Sequence, residues 1–150
     1  MFRGTHFLNL DDKGRLAIPA SQRALLAEHC GSKIVVTADP QRCLIVYPEP
    51  RFKQVEDKLN AMPAFSKTAR QLQRIIIGYA TPVNMDGQGR VLLSQAQREF
   101  AGLSKEVALV GVGNRYELWD GAAWKATLLD AEAIDMEALA QDPALADFSL

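Results

Sequence analysis

The sequence predicts an α+β fold, rich in β-strands, in which two similar halves each carry flanking helices. A stretch of 17 residues recurs further along the chain at a constant offset of 75 residues, with six identical positions. Both copies place two short alternating runs around a turn that contains Asp and Gly, a pattern typical of a β-hairpin. A helical run and two further strand-like runs follow in each copy. Because self-similarity at a fixed offset marks a repeated structural unit, we expect two copies of one unit.

The repeat relates residues 7–23 to residues 82–98. Apolar positions keep their character between the copies, as Leu16 and Val91 do. A chance match between two short strand pairs is the alternative, but the match continues downstream with helix and strand patterns in the same order. The identical pairs are Asn9/Asn84, Asp11/Asp86, Gly14/Gly89, Arg15/Arg90, Gln22/Gln97 and Arg23/Arg98.

Each element of the unit has a local sequence signal. Asp and Gly favour the turn, because Asp can hydrogen-bond nearby backbone and Gly tolerates positive φ. Pro19 and Ser94 suit a helix start, and Gly31 suits a helix end. Copy one has predicted strands at 7–10 and 15–18 around a turn at 11–14, a helix ending near residue 30, and strands at 33–37 and 43–47. Copy two has predicted strands at 82–85 and 90–93 around a turn at 86–89, a helix ending near residue 102, and strands at 107–112 and 115–119.

Further helices are predicted between and after the copies. Residues 51–62 carry apolar side chains on one face, and residues 121–129 are their counterpart. Residues 66–80 repeat apolar side chains at helical spacing, so this segment packs the copies together or makes a subunit contact. Its run Ile75–Ile77 fits a contact surface and ordinary core equally well.

These patterns divide the chain into four segments. The last is acidic and rich in Ala, and Pro143 interrupts it, so we expect a frayed helix or disorder there. The predicted segments are a first half-domain at 5–50, a helical connector at 51–80, a second half-domain at 81–125 and an acidic tail at 126–150.

Composition limits the class of protein. The chain has 150 residues, with 17 Lys and Arg against 18 Asp and Glu, for a formal charge of −1. Hydrophobic residues make up 48 %, which excludes a disordered or collagen-like chain. No apolar run approaches about 18 residues, and the N-terminus has no apolar signal-peptide core. Two cysteines are too few for a disulfide framework, so we expect a soluble, cytoplasmic protein.

Charge is unevenly placed along the chain. Residues 1–60 carry a net charge of +2, residues 61–125 carry +3, and residues 126–150 carry −6. Because the local field matters more than the sum, the near-neutral total does not exclude a polyanionic partner. It does argue against tight, non-specific nucleic-acid binding by a single copy.

The repeated arginine is the strongest candidate for ligand contact. Arg15 and Arg90 each follow a turn glycine at the start of a strand, and a two-fold pairing of the copies would bring both to one face. The planar guanidinium matches guanine O6 and N7, or phosphate oxygens, with two hydrogen bonds. The alternative role is structural, with Asp11 and Asp86 pairing with the arginines to fix the turn.

Three further residues complete the predicted DNA contacts. Lys13 and Arg3 would bind phosphates, which fix the register of a complex without reading its sequence. Gln88 would reach a base edge or a phosphate. For Arg23 and Arg98, a solvated helix face fits at least as well as a DNA contact.

Three motifs give the chain a family resemblance. They are the start Met1-Phe2-Arg3-Gly4, the run Asp11-Asp12-Lys13-Gly14-Arg15 followed by Ile18-Pro19, and the run Asp86-Gly87-Gln88-Gly89-Arg90. With these motifs the chain resembles the MraZ family, whose members carry two SpoVT-AbrB-like half-domains. The resemblance covers nearly all of residues 1–130. It implies tandem AbrB-like swapped-hairpin β-barrel half-domains with flanking helices.

The resemblance also implies a function. We expect a sequence-specific, DNA-binding transcriptional regulator, a repressor, that acts on repeated promoter boxes of cell division and cell wall genes, including its own operon. It further implies a ring-like homo-oligomer on double-stranded DNA, associated with the nucleoid. Copy two departs from the fuller pattern, with Gln88 in place of Lys13 and Ser94 in place of Pro19. We therefore expect the two halves to contribute unequally.

The size of a single contact also favours an oligomer. A bidentate base contact contributes about 1–3 kcal/mol of discrimination, so two per chain are too few for an operator-grade site. Linking several copies raises the apparent affinity roughly 10²–10⁴-fold when the geometry permits simultaneous binding. We expect boxes spaced near one helical turn, about 10 bp.

Other chemistry has weaker support in the sequence. His29, Cys30 and Cys43 lack the paired short spacings of zinc modules, so no metal or cofactor is expected. His6 fits a solvated loop better than a phosphate contact. The chain has neither a phosphate-loop motif nor a nucleophile elbow, so it is not expected to be an enzyme. The competing functions are a non-enzymatic scaffold ring and an AbrB-like antitoxin that binds DNA and a toxin.

Overall fold

The computed structural model describes residues 1–129 and 136–148, and in that part of the chain it has eight β-strands and six α-helices. The strands are β1 Phe2–Asn9, β2 Arg15–Ala17, β3 Lys33–Asp39, β4 Cys43–Pro48, β5 Thr81–Asn84, β6 Arg90–Leu92, β7 Glu106–Gly113 and β8 Tyr116–Asp120. The helices are α1 Ala20–Cys30, α2 Glu49–Asn60, α3 Lys67–Ile76, α4 Gln95–Phe100, α5 Gly121–Leu129 and α6 Met136–Gln141, with a 3₁₀ turn at Pro143–Leu145.

The order of the strands shows an internal symmetry. Six strands form one antiparallel sheet in the order β1-β7-β8-β4-β3-β5, and β2 pairs with β6 in a separate antiparallel ribbon. Copy one supplies β1 to β4 and copy two supplies β5 to β8, so exchanging the copies reverses this order and reproduces it. The two halves are therefore related by a pseudo-two-fold axis. The predicted α+β class is confirmed, with a mostly antiparallel sheet.

The strand registers locate this axis in both sheets. In the ribbon, Leu16 pairs with Val91, which is its own counterpart in the repeat. In the large sheet, Ile45 pairs with Glu117, which are counterparts in the last strands of the copies. The first strand of each copy joins the other copy, because β1 pairs with β7 and β5 pairs with β3. Neither half completes its sheet alone, so the two halves have to fold together.

The main core lies between the large sheet, the ribbon and helices α1 and α4. Its buried residues come from both copies: Phe2, Leu10, Leu16, Ile18, Leu26, Ile34, Val36, Ala38, Leu44, Val46, Val91, Leu93, Ala101, Val107, Leu109, Tyr116 and Leu118. Two smaller clusters lie on the opposite face of the sheet, one against α2 and the other against Trp124 of α5. Strand β4 is buried at all six positions because both faces of the sheet are covered there.

Local chemistry sets the ends of the two helices beside the ribbon. The Ser94 side chain accepts a hydrogen bond from the backbone N–H of Gln97, and the Gln97 side chain accepts one from the backbone N–H of Ser94. This capping box satisfies two otherwise unpaired donors at the start of α4. α1 begins after Pro19 without a side-chain cap and ends at Gly31, whose φ of 59° favours glycine. The predicted helix starts and the end of α1 are confirmed.

One buried glutamine on each of these helices, Gln22 on α1 and Gln97 on α4, forms hydrogen bonds to the opposite copy. Gln22 of copy one accepts a hydrogen bond from the Tyr116 hydroxyl at 2.6 Å, and burial raises the pKa of that hydroxyl. Gln97 of copy two donates to the backbone oxygens of Val36, at 3.1 Å, and of Tyr79, at 3.0 Å. The identity of these glutamines in the repeat therefore has a structural reason, since Gln22 with Tyr116 and Gln97 with Val36 satisfy buried polar groups between the copies.

The first strand is longer than predicted. The alternating run at 7–10 predicts a short strand, but β1 begins at Phe2 and pairs with β7 along its whole length. Local alternation is weak before Phe7, and it is the pairing with the other copy that extends the strand. His6, expected in a solvated loop, lies within β1 and is half-buried, so that expectation is wrong.

The other predicted helices lie close to their expected places. α2 and α5 correspond to the predicted helices at 51–62 and 121–129. Ile75 packs against the main core and Ile76 against the cluster beside α2, so ordinary core packing accounts for these two residues. Of the acidic tail, residues 130–135 and 149–150 lie outside the described residues; residues 126–129 complete α5, and residues 136–148 contain α6 and the 3₁₀ turn.

The large sheet keeps two open edges, β1 and β5, in the described residues, where no closed barrel is formed. Within those same residues, none of the helices has both the length and the apolar character needed to span a membrane.

Candidate nucleic-acid interface

The two turns that precede the ribbon strands have the same hydrogen-bonding geometry. In copy one, Gly14 N donates to Asp11 O at 3.0 Å, and Asp11 N donates to Arg15 O at 3.0 Å. In copy two, Gly89 N donates to Asp86 O at 2.9 Å, and Asp86 N donates to the backbone oxygen of the following arginine at 3.0 Å. The sequence repeat therefore produces a structural repeat at this site.

Glycine is required at the last position of each turn. Gly14 has a φ of 79° and Gly89 a φ of 74°, a left-handed conformation that side chains with a Cβ rarely adopt. The backbone oxygen of each glycine then accepts a hydrogen bond from the other copy, with Leu93 N donating to Gly14 O at 3.1 Å and Ile18 N donating to Gly89 O at 3.0 Å. The two turns are thus fixed at opposite ends of the ribbon.

Each turn aspartate holds both the backbone and the side chain of its arginine. Asp11 Oδ1 accepts from the backbone N–H of Arg15 at 2.8 Å, and Asp11 Oδ2 accepts from Arg15 Nε at 2.6 Å. The corresponding distances from Asp86 to Arg90 are 2.9 Å and 2.8 Å. The ion pairs predicted as the structural alternative are therefore present. They occupy only Nε of each guanidinium, and within the described residues the terminal nitrogens of both arginines have no hydrogen-bond partner.

Both arginines lie on one exposed face of the ribbon. Arg15 is opposite Leu92 and Arg90 is opposite Ala17, so the two arginines are diagonal neighbours on the ribbon. The Cα atoms of such neighbours are about 7–8 Å apart. Leu92 is 57 % exposed, and each arginine side chain keeps about 30 % of its surface accessible. The other face holds Leu16, which is fully buried. The ribbon is therefore anchored by one face and presents two guanidinium groups on the other.

The turn carboxylates are stabilised in their charged form. The backbone N–H of Arg15 lowers the pKa of Asp11 below its ordinary value of 3.8, with smaller contributions from the Arg15 side chain and the backbone of Lys13. Burial acts in the opposite direction on the same carboxyl, and the shift remains downward. Asp86 has a lowered pKa for the same reasons, with Arg90 as its first partner.

Carboxyl titration by NMR is expected to give midpoints below 3.8 for Asp11 and Asp86 in the full chain. Because the folded pKa values are lowered, these groups stabilise the turns above pH 3.8, and that contribution is lost as the pH falls through the folded pKa. Arg15→Ala should move the Asp11 midpoint upward and leave Asp86 unchanged, so Asp86 is the internal control. A midpoint at or above 3.8 in the unaltered chain would contradict the geometry.

The structure places four of the five predicted site residues at the ribbon, with Arg15 and Arg90 on its strands and Lys13 and Gln88 in the turns at its two ends. Lys13 and Gln88 occupy equivalent exposed positions in the two turns, beside Arg15 and Arg90. Arg3 lies near the far end of β1, where it pairs with Val112. Asn9 is six residue steps further along the extended strand, or about 20 Å at 3.3 Å per step. Arg3 therefore stays a prediction to which the fold of one chain adds no support.

For Arg23 and Arg98 the sequence favours a solvated helix face at least as much as a DNA contact, and the structure places both side chains against the turns. The end of the Arg98 side chain lies over Gly14, and the end of the Arg23 side chain lies over Gly89. The signal available in the sequence was their identity in the repeat. The sequence alone could not show that each arginine reaches the turn of the opposite copy.

The remaining titratable groups do not form a metal cluster in the part of the chain that the structure describes. Cys43 is buried and Cys30 half-buried, and burial raises the pKa of both thiols. His29 lies in the last turn of α1, with its ring perpendicular to that of Phe2 and the ring centroids 5.2 Å apart.

Comparison with known proteins supports the two-copy architecture. A family model described as "MraZ protein, putative antitoxin-like" matches residues 1–75 and again residues 76–146. Proteins named Transcriptional regulator MraZ from Nitrosomonas eutropha and Nitrosomonas europaea are each 56 % identical over 124 residues, covering 83 % of this chain and 84 % of theirs. The protein of that name from Chromobacterium violaceum is 47 % identical over 150 residues, the full length of both chains. With both halves matched and this level of identity, the chain belongs to the MraZ family.

Proposed function

We propose that this protein is a transcriptional regulator that binds double-stranded DNA in a sequence-specific manner through the exposed face of the β2–β6 ribbon. The observation that carries the proposal is the position of Arg15 and Arg90, two symmetry-related guanidinium groups on one solvent-facing side of a two-stranded ribbon. The names of the relatives support regulation of transcription as the context.

The shape of the ribbon suits the major groove. That groove is about 12 Å wide and admits a two-stranded β-ribbon, whose side chains then reach base edges. Asp11 and Asp86 hold Nε of each guanidinium, which leaves the terminal nitrogens to donate two hydrogen bonds to guanine O6 and N7. An arginine held in this way loses little rotamer freedom on binding.

The two turns would read DNA unequally. Lys13 adds a cation to the first turn, whereas Gln88 occupies the same place in the second turn without a charge. We therefore assign Lys13 to a phosphate and Gln88 to a base edge or a phosphate. Arg3 is assigned to a phosphate only in an assembly that brings the end of β1 close to DNA.

The exchange of strands between copies supports the proposed domain organisation. Residues 5–50 and 81–125 would be AbrB-like half-domains of the swapped-hairpin type, with a helical connector at 51–80 and an acidic tail at 126–150. Within the described residues the exchange is seen in the pairs β1–β7 and β5–β3, while the sheet stays open. Closure into a barrel would need further pairing at the edges β1 and β5.

The regulatory context follows from the small number of contacts per chain. Two bidentate contacts of about 1–3 kcal/mol each give modest discrimination, so we propose a ring-like homo-oligomer on repeated promoter boxes. Its action would be repression, with cell division and cell wall genes and its own operon as targets, and it would associate with the nucleoid.

Selection of bound sequences from random double-stranded DNA is the experiment that tests the proposal. With the full chain, we expect enrichment of a repeated box with a spacing near 10 bp, and affinity that falls as salt rises. Light scattering of the same sample should give a mass of several chains. Enrichment of no sequence, with intact assembly, would favour a scaffold instead, and a strictly monomeric protein would remove the argument from linked copies.

A further inference from the structure

We propose that Arg98 and Arg23 are positioning residues, each of which holds the DNA-reading turn of the opposite copy. Arg98 belongs to α4 of copy two and holds the turn that precedes Arg15, whereas Arg23 belongs to α1 of copy one and holds the turn that precedes Arg90. This inference rests on the proposed function for its consequence on DNA, but the contact itself can be tested without DNA.

The packing at Gly14 is the first observation. A Cβ built on Gly14 would lie 2.7 Å from both Cζ and Nε of Arg98 and 3.2 Å from its Cδ, so the end of this side chain occupies the space that any larger residue would need. The same holds at Gly89, where a built Cβ would lie 2.7 Å from Nε of Arg23. Two independent copies of the sequence thus produce the same crossed contact.

The state of the guanidinium groups is the second observation. Nε of Arg98 is enclosed and has no hydrogen-bond partner within the described residues. Neither Arg23 nor Arg98 forms an ion pair within those residues, although Asp11 and Asp12 line the same cavity as Arg98. Packing against the turn backbone is therefore the interaction that the structure shows for both side chains. The contact occurs in both copies, between Arg98 and Gly14 and between Arg23 and Gly89, which is not expected of an arginine that contacts only solvent.

The position of the contact explains how it would act on DNA binding. Gly14 is the residue directly before Arg15, and the carboxylate that orients Arg15 lies three residues before Gly14. Greater backbone motion at Gly14 would disturb both the backbone hydrogen bonds of the turn and the Asp11–Arg15 ion pair. Arg98 thus acts through Gly14 on Arg15, so the reading residue of each half depends on a helix of the other half.

Amide hydrogen exchange in the DNA-free full chain tests the crossed contact. Arg98→Ala should speed exchange at the backbone N–H groups of residues 13–15 by roughly two- to tenfold, the effect of weakening one hydrogen bond, and leave residues 88–90 unchanged. Arg23→Ala should speed exchange at residues 88–90 and leave residues 13–15 unchanged. Arg74→Ala, which removes an exposed arginine of α3, is the matched control and should change neither turn. Faster exchange in the turn of the copy that carries the substituted arginine, or in neither turn, would overturn the proposal.

Lysine variants separate positioning from direct phosphate contact. If Arg98 positions the turn by its planar group, Arg98→Lys should lose specific DNA affinity about as much as Arg98→Ala, with an unchanged salt slope. If Arg98 binds a phosphate instead, Arg98→Lys should keep the affinity, and Arg98→Ala should lower the salt slope by about one ion. That second result, with unchanged exchange, would contradict the proposal.

Failure of the two proposals gives different results. If the unaltered chain binds no specific DNA, the proposed function fails, while the exchange pattern still decides whether the arginines hold the turns. If the unaltered chain binds DNA and exchange shows no crossed effect, only the positioning role fails. Should Arg98→Ala not fold, Arg98→Gln keeps most of the side-chain length without the charge, and the same crossed pattern is expected.

Discussion

Arg15→Ala is expected to abolish the specific mobility shift of a promoter fragment that carries repeated boxes. Arg15 is held by Asp11 at 2.6 Å, keeps 29 % of its side chain accessible and is a diagonal neighbour of Arg90 on the ribbon. A bidentate base contact contributes about 1–3 kcal/mol of discrimination, so one chain should lose specific affinity by roughly 5- to 150-fold. The loss multiplies when several linked chains bind the same fragment. Fluorescence anisotropy with specific and scrambled DNA measures both affinities.

The control for this substitution is Arg74→Ala on α3, which removes the same charge away from the ribbon. It should leave specific binding within about twofold, as expected for a distant surface substitution. Both variants should keep the assembly of the unaltered chain by light scattering, so that a change in binding reports on DNA contact and not on the number of linked chains. An Arg15→Ala protein that still prefers the specific fragment would refute the ribbon as the reading surface.

Leu16→Ala is expected to cause the largest loss of stability among single substitutions in the ribbon. Leu16 is fully buried, lies on the face opposite the arginines and pairs with Val91 on the pseudo-two-fold axis. Truncation of a buried leucine removes its transfer free energy and leaves a cavity, which together cost about 2–5 kcal/mol. Urea unfolding, followed by circular dichroism, should show this as a lower midpoint with an unchanged slope.

Leu92→Ala is the matched control, because it makes the same change on the other face of the ribbon. Leu92 lies opposite Arg15 and is 57 % exposed, so its loss should change the free energy of unfolding by about 0.5 kcal/mol or less. Equal effects of the two substitutions would contradict the assignment of a buried and an exposed face.

Much of the fold could be predicted from local sequence signals. Some features depend only on residues close together in the sequence, so they can be predicted without the rest of the chain. They are the capping box at Ser94, the left-handed Gly31 and the turn glycines. The start of β1 at Phe2 was not predicted, because that part of the strand owes its pairing to β7 of the other copy. Local patterns cannot report a partner from a distant part of the chain.

The candidate site could likewise be predicted only in part from the sequence. The repeated arginines, their aspartates and the unequal Lys13 and Gln88 were visible in the sequence, because residue identity recurs at one offset. The crossed packing of Arg23 and Arg98 was not visible, because helix periodicity shows only which face a residue occupies. It does not show which turn of the folded chain lies against that face.

By itself, the sequence determined the duplication, the turn chemistry and the pair of arginines, because identity, capping and left-handed glycines are properties of short segments. Only the tertiary structure decided that the halves exchange their first strands and that both guanidinium groups share the exposed side of one ribbon. It also decided that the length of β1 depends on the other half. The physical reason is that antiparallel pairing and core burial join segments far apart in the chain, and their free energy depends on which surfaces meet.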